Sequence, residues 1–201
     1  MKTIKNTLLI FGFVALSFST IAQTQVITFA PMGLINKFRM KYENVLNGNF
    51  TSGLYFNAYY AYFKGIRFDP FIRLYPADKA PKGFYFQAKA LVGYFNADIA
   101  YDYTYEYIAL NGDTVSNTLT EKRNKSFSTY GGGIGIGYQF LVGKGQMPLD
   151  IFIGIQLFSK FTAPQTIVYD GNTYTTLDDL IWILTGPGSF LNCNFGIGFS
   201  F

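Results

Sequence analysis

The chain has 201 residues, enough for one domain with a full core and short for two. Only 14% of them are charged, roughly half the ~25% of ordinary soluble domains, so there is too little charge to coat a water-exposed surface. Histidine is absent, which removes Ser-His-Asp and Cys-His triads, His zinc sites and the commonest general base, so no cofactor, metal site or catalytic residue is expected.

The N-terminus has the layout of a secretory signal. Lys2 and Lys5 give a basic start, Leu8 to Phe18 is apolar, and Thr20-Ile21-Ala22 precedes Gln23. The apolar run is too short to span a bilayer, which takes ~20 residues. Residues 1–22 are therefore expected to be a signal peptide and 23–201 a single domain. Without Lys2 and Lys5 the chain has 14 basic and 12 acidic residues, so the pI of about 9.0 overstates its basicity and nucleic acid is not an expected partner. Cys193 is the only cysteine, so no intrachain disulfide can form.

Beyond the signal, apolar residues recur with a period of two, which argues for strands. In "IRFDPFIRLY" Ile66, Phe68, Pro70, Ile72 and Leu74 oppose Arg67, Asp69 and Arg73. In "GFYFQAKALVGY" Phe84, Phe86, Ala88, Ala90, Val92 and Tyr94 oppose Gln87, Lys89 and Gly93. "YGGGIGIGYQFLV" sets Tyr130, Ile134, Ile136, Tyr138, Phe140 and Val142 against Gly131, Gly133, Gly135, Gly137 and Gln139. "LDIFIGIQL" does the same with aliphatic residues against Asp150, Gly154 and Gln156. Runs bounded by turn signals lie near 25–34, 37–46, 51–63, 65–75, 83–96, 126–142, 148–160 and 189–201. Short connections fall at 47–49, 76–82 and 143–148, and two long ones at 97–125 and 161–188. With eight strands, both long connections emerge at the same end.

These observations predict an all-β fold, an eight-stranded antiparallel up-and-down transmembrane β-barrel with two long extracellular hairpin loops. A soluble barrel also alternates, but it needs Lys and Glu on its non-apolar face to stay dispersed. Here that face is mainly Gly, Asn, Gln and Ser, which suits a crowded interior. The expected location is the cell outer membrane, with its lipid and lipopolysaccharide as surroundings.

The stretches "RLYPADKAPKGFYFQAKALVGY", "YGGGIGIGYQFLVGKG" and "LDIFIGIQL" resemble outer-membrane β-barrel families of uncharacterised function common in Bacteroidota. Ala22-Gln23 resembles the signal-cleavage junction frequent in that group. The resemblance covers roughly 25–201 and is strongest from Phe68 to Leu157. It transfers no catalytic residue. Outer-membrane barrels commonly end on an aromatic residue with apolar residues at alternate preceding positions. In that resemblance Phe195, Ile197, Phe199 and Phe201 form the segment read by the barrel-assembly machinery, and the last strand closes the barrel against the first.

Within the barrel the strongest constellation is charged. Arg39, Lys41 and Glu43 are expected to face Arg67, Asp69 and Arg73, with Lys89 and Asp150 nearby. Unpaired buried charges cost several kcal/mol, so mutual pairing is expected. An acid-base pair or ion path using Asp69 and Glu43 is the functional alternative. The glycines from 131 to 137 precede a continuing strand rather than a helix, so they are no phosphate loop.

The long connections carry the remaining candidates. Tyr101, Tyr103, Tyr105 and Tyr107 alternate with polar residues ahead of Asn111-Gly112, a hairpin signal. A second small hairpin is expected at 166–174, turning at Asp170-Gly171. Two readings stay open for the tyrosines: an interfacial aromatic girdle or an extracellular contact surface. Tyr105, Tyr107 and Trp182 are the candidates for contact with a glycan or protein ligand. Lys122, Arg123 and Lys125 are candidates for contact with lipopolysaccharide phosphates. Asp98, Asp102 and Glu106 are acidic residues at the rim without a Ser beside an oriented base, so no enzyme is expected. The function expected is a structural or surface-interaction barrel; a small-solute pore is the alternative, and an outer-membrane hydrolase stands behind both.

Overall fold

The computed structural model describes residues 25–61, 63–77, 79–110, 112–143, 147–158, 167–169, 172–174 and 186–201, with side chains apart from those of 32, 97–105, 118–123 and 125. The expected signal peptide at 1–22 lies outside the described residues. The strands are β1 (Gln25–Phe29), β2 (Lys37–Asn47), β3 (Phe50–Tyr59), β4 (Phe63–Leu74), β5 (Gly83–Ile108), β6 (Thr114–Val142), β7 (Met147–Phe158), β8 (Ile167–Tyr169), β9 (Asn172–Tyr174) and β10 (Leu191–Ser200). Eight of them form a closed barrel in the order β1-β10-β7-β6-β5-β4-β3-β2, and β8 and β9 pair separately. Every barrel pair is antiparallel.

Closure falls where the chain ends. Val26 lies opposite Ser200, and Phe29 opposite Ile197. Beyond that register, Gln25 N donates to Phe201 O at 2.8 Å and Phe201 N to Gln25 O at 2.9 Å. A terminal residue in water frays, but both backbone groups of Phe201 are engaged in the sheet.

The alternation puts charge inside and hydrocarbon outside. On β4, Arg67, Asp69, Phe71 and Arg73 point inward and are almost fully buried, while Ile66 and Ile72 are 44% and 58% exposed. On β7, Asp150, Phe152 and Gln156 are buried, while Ile151, Ile153, Ile155 and Leu157 are exposed. Side chains alternate across a strand, so each wall strand sorts its two residue classes in this way.

The interior is filled, and glycine makes the room. On β6 the inward positions include Gly133, Gly135 and Gly137. A Cβ at Gly135 would lie 2.5 Å from Phe152 Cζ, one at Gly133 would lie 2.9 Å from Gln156 Cβ, and one at Gly137 would strike the Tyr85 ring and hydroxyl. Larger residues on β6 would displace the aromatic and polar side chains that reach across from β5 and β7.

Several strand ends differ from the sequence reading, and β3 stops at Tyr59 rather than 63. β1 stops at Phe29 rather than 34, because Pro31 has no N–H to continue the ladder and the chain enters a 3-10 turn at Pro31–Gly33. β5 and β6 run on to Ile108 and from Thr114, paired in unbroken register from Gly83↔Gln139 to Ile108↔Thr114. The segment 97–125 is therefore mostly the extension of two wall strands, closed by a tight turn. There Gly112 has φ +85° and its N–H donates to Ala109 O at 2.8 Å, a left-handed conformation that glycine adopts without cost. In the second long connection, Tyr169 pairs with Asn172; Asp170 and Gly171 between them lie outside the described residues.

Candidate functional site

The inward faces of β2 to β7 and β10 converge in two layers. The layer nearer the chain termini is built around Lys41 and Glu43 on β2, Arg73 on β4 and Asp150 on β7, each at most 1% exposed. Glu43 Oε2 accepts from Lys41 Nζ at 2.7 Å and Arg73 Nη1 at 2.8 Å. Its Oε1 accepts from Thr51 Oγ1 at 2.7 Å and the Tyr75 hydroxyl at 2.9 Å. Asp150 Oδ2 accepts from Lys41 Nζ at 2.8 Å and Arg73 Nη2 at 2.9 Å. Its Oδ1 accepts from the Tyr85 hydroxyl at 2.6 Å. The Arg73 guanidinium lies 3.9 Å from the centre of the Tyr85 ring. Two cations face two carboxylates, so this layer is neutral and every carboxylate oxygen in it has a donor.

The second layer lies toward the hairpin end. Arg67 grips Asp69 two residues along the same face, Nε to Oδ1 at 2.7 Å and Nη2 to Oδ2 at 2.9 Å, the bidentate geometry that guanidinium favours. Lys89 Nζ donates to Gln156 Oε1 at 2.8 Å and stands 3.8 Å from Asp69 Oδ2. Arg39 donates to Asn57 Oδ1 at 2.6 Å, and to Asn192 and Asn194 at 3.3 and 3.2 Å. Lys37 stands over the Tyr59 ring at 5.1 Å. Among the described residues, this layer gathers Lys37, Arg39, Arg67 and Lys89 around the single carboxylate of Asp69.

All eight charges named from the sequence are thus inside the barrel, but in two groups rather than one. Asp69 and Glu43, the carboxylates of the acid-base alternative, belong to different layers, and each accepts from a guanidinium and a further donor. Lys37 was missed. It sits two residues before Arg39 on the same alternation, and extending the inward run by one step would have found it. Also missed is the approach to β10: Gly186, Pro187 and Gly188 are buried, Arg67 Nη1 donates to Pro187 O at 2.9 Å, and Gln156 Nε2 donates to Ser189 O at 2.6 Å. Arg67 and Gln156 anchor this segment through its backbone oxygens, and no charge pattern in the segment itself marks its course.

The other named residues are placed as follows. Ile197, Phe199 and Phe201 are exposed on the outer face of β10 and Phe195 is half-buried there. Cys193 is exposed on the same face. Tyr107 is 45% exposed near the hairpin tip, and Glu106 beside it is exposed. Lys122, Arg123 and Lys125 pair through their backbone with Ala100, Ile99 and Ala97, so they lie along β6 rather than in a loop. Their side chains, and those of Asp98, Asp102 and Tyr101 to Tyr105, lie outside what is described, as does Trp182 altogether.

No family model, no curated protein and no solved structure matches the chain.

Proposed function

We propose that the chain is an outer-membrane β-barrel whose wall anchors it in the bilayer and whose β5–β6 hairpin and β7–β10 connection interact with the cell surface or with ligands outside it. One observation carries the reading, the inversion of the wall. Ile72, Val92, Ile134, Ile155 and Leu157 are each more than half exposed, while Arg67, Arg73, Lys41 and Glu43 are at most 1% exposed. Monomeric soluble proteins rarely expose apolar patches beyond a few hundred Å², and a lipid-facing band around a polar interior is the transmembrane-barrel arrangement. Every barrel strand also has a hydrogen-bonded neighbour on each side, the closed arrangement by which a sheet spans a bilayer. The resemblance to Bacteroidota outer-membrane barrels and the signal-like pattern of residues 1–22 support the same placement. In this reading lipid and lipopolysaccharide surround the wall, and the assembly machinery reads Phe195 to Phe201. The test is cell fractionation followed by gel electrophoresis with and without heating. A heat-shifted band in the outer-membrane fraction is expected, and recovery in the soluble periplasm would overturn the proposal.

A further inference from the structure

β1 has five residues, and beyond its end a gap opens in the wall. β1 meets β10 only from Ile197 to Ser200 and β2 only from Met40 to Asn44. A last ladder bond runs from Ala30 N to Arg39 O at 3.1 Å. Past this point β10 continues to Leu191 and β2 to Lys37, but no strand lies between them. The 3-10 turn Pro31–Gly33 packs against both instead. Its neighbouring backbone bonds, from Gly33, Leu34, Asn36 and Tyr60, stay within residues 30–36 and the end of β3. Side chains bridge the gap: Arg39 on β2 reaches Asn192 and Asn194 on β10.

A cavity of about 860 Å³ opens at this place, within the ~300–1,000 Å³ range of small-molecule sites. Its lining has two characters. Ile35, Ile153, Cys193 and Phe195 belong to the apolar outer surface, whereas Lys37, Arg39 and Asn194 belong to the polar interior. Lys37 and Arg39 have no carboxylate within ion-pair distance among the described residues. The Lys37 ammonium donates to the Tyr59 hydroxyl at 3.5 Å and stands over its ring, and Arg39 donates to the amide oxygens of Asn57, Asn192 and Asn194. Among the described residues, the layer they belong to has four cations and one carboxylate. An apolar surface therefore leads through the wall to two cations without an anionic partner.

We propose that this lateral opening binds a long-chain fatty acid, with the carboxylate between Lys37 and Arg39 and the hydrocarbon along Ile35, Ile153 and Phe195. Two cationic side chains match the two oxygens of a carboxylate, and the apolar rim matches a single chain. The inference goes beyond the membrane placement and is read out in micelles, so its failure leaves that placement standing.

Cys193, the sole cysteine of the chain, lines the cavity and reports its occupancy. In purified full-length protein in maltoside micelles, palmitate should slow alkylation of Cys193 by N-ethylmaleimide at least tenfold, and hexadecanol should not. Lys37→Gln and Arg39→Gln should each raise the palmitate concentration needed for protection about tenfold, with the heat-shifted gel band showing a folded barrel. If Arg39→Gln fails to fold, Lys37→Gln, half-buried at the strand's first position, decides alone. Ile153→Trp should close the apolar side and abolish protection while leaving the gel shift. Absence of protection by palmitate, equal protection by hexadecanol, or undiminished protection in Lys37→Gln would overturn the proposal. Protection by hexadecyl phosphate at lower concentration than by palmitate would overturn the choice of a carboxylate head.

Discussion

Replacing Asp150 with Asn removes one charge from the neutral layer and leaves its volume almost unchanged. Asp150 accepts from Lys41, Arg73 and Tyr85 at 2.8, 2.9 and 2.6 Å. After the substitution Lys41 and Arg73 share Glu43 alone, and one positive charge is left uncompensated among side chains at most 1% exposed. Each lost ion pair at that distance is worth about 6 kcal/mol in gross Coulomb energy at an effective dielectric of ~20. The relief of burying Asp150 itself, and of its repulsion with Glu43, offsets much of the gross figure, and removal of one partner from a buried pair typically costs about 3–5 kcal/mol net. With a urea slope of ~2–3 kcal/mol/M, the midpoint should fall by roughly 1–2.5 M. The assay is the fraction of heat-shifted folded band across a urea series in micelles. Lys41→Met combined with Asp150→Asn returns the layer to neutrality and should be less damaging than the two single costs added, by about 1–3 kcal/mol of coupling. A shift in Asp150→Asn below about 0.3 M, or strict additivity in the double variant, would refute the view that these four charges act as a unit.

Replacing 98–124 with a short Gly-Asn turn should leave the heat-resistant barrel intact, because β4 pairs with β5 only as far as Ala97 and β6 with β7 only from Gly131. The truncated barrel should lose binding to lipopolysaccharide vesicles, and undiminished binding would place that role elsewhere on the molecule. Gly137→Ala, whose methyl would strike Tyr85, should cost about 1–3 kcal/mol in the same urea series. Gly132→Ala, on the outer face with its nearest neighbour at 3.5 Å, should be close to neutral, and equal costs for the two would contradict the packing account. Purified protein in planar bilayers should show no large, stable conductance steps, since two side-chain layers fill an eight-stranded lumen; wide steps would move a small-solute pore to first place.

Most of the barrel was legible because a sheet with two different faces has a period of two, and that period survives without any tertiary knowledge. Ile66 to Leu74 and Phe84 to Tyr94 sort correctly on alternation alone. Which face looked inward needed composition as well: the glycines at 133, 135 and 137 made sense only as room for partners reaching from other strands. Element ends were harder. Ala30, Met32 and Leu34 continue the period past Phe29, but the missing N–H of Pro31 ends β1 there. Polar Asn96 and Asp98 follow the apolar residues on one face of β5, but pairing depends on backbone bonds and continues to Ile108. The split of the eight charges into two layers is only partly visible strand by strand. Distance along β2 separates Arg39 from Glu43, and stagger between strands sets Arg39 level with Asn192 and Asn194 rather than with Asp150.

The two layers differ in a way that bears on where change is tolerated. In the layer near the termini every carboxylate oxygen is occupied and each cation meets two carboxylates, so a substitution at any of the four residues orphans a buried charge elsewhere. In the layer near the hairpins much of the cation satisfaction comes from neutral oxygens, those of Asn57, Gln156, Asn192, Asn194 and Pro187. Neutral acceptors can be exchanged for a ligand oxygen without stranding a charge, whereas an internal carboxylate cannot. The closed layer lies beside the strand ends where Gln25 and Phe201 complete the barrel, and the exchangeable layer lies beside the gap that β1 leaves. Rigidity and access are thereby separated along one axis of a single small fold, and a ligand can enter the second layer without disturbing the ion-pair network of the first.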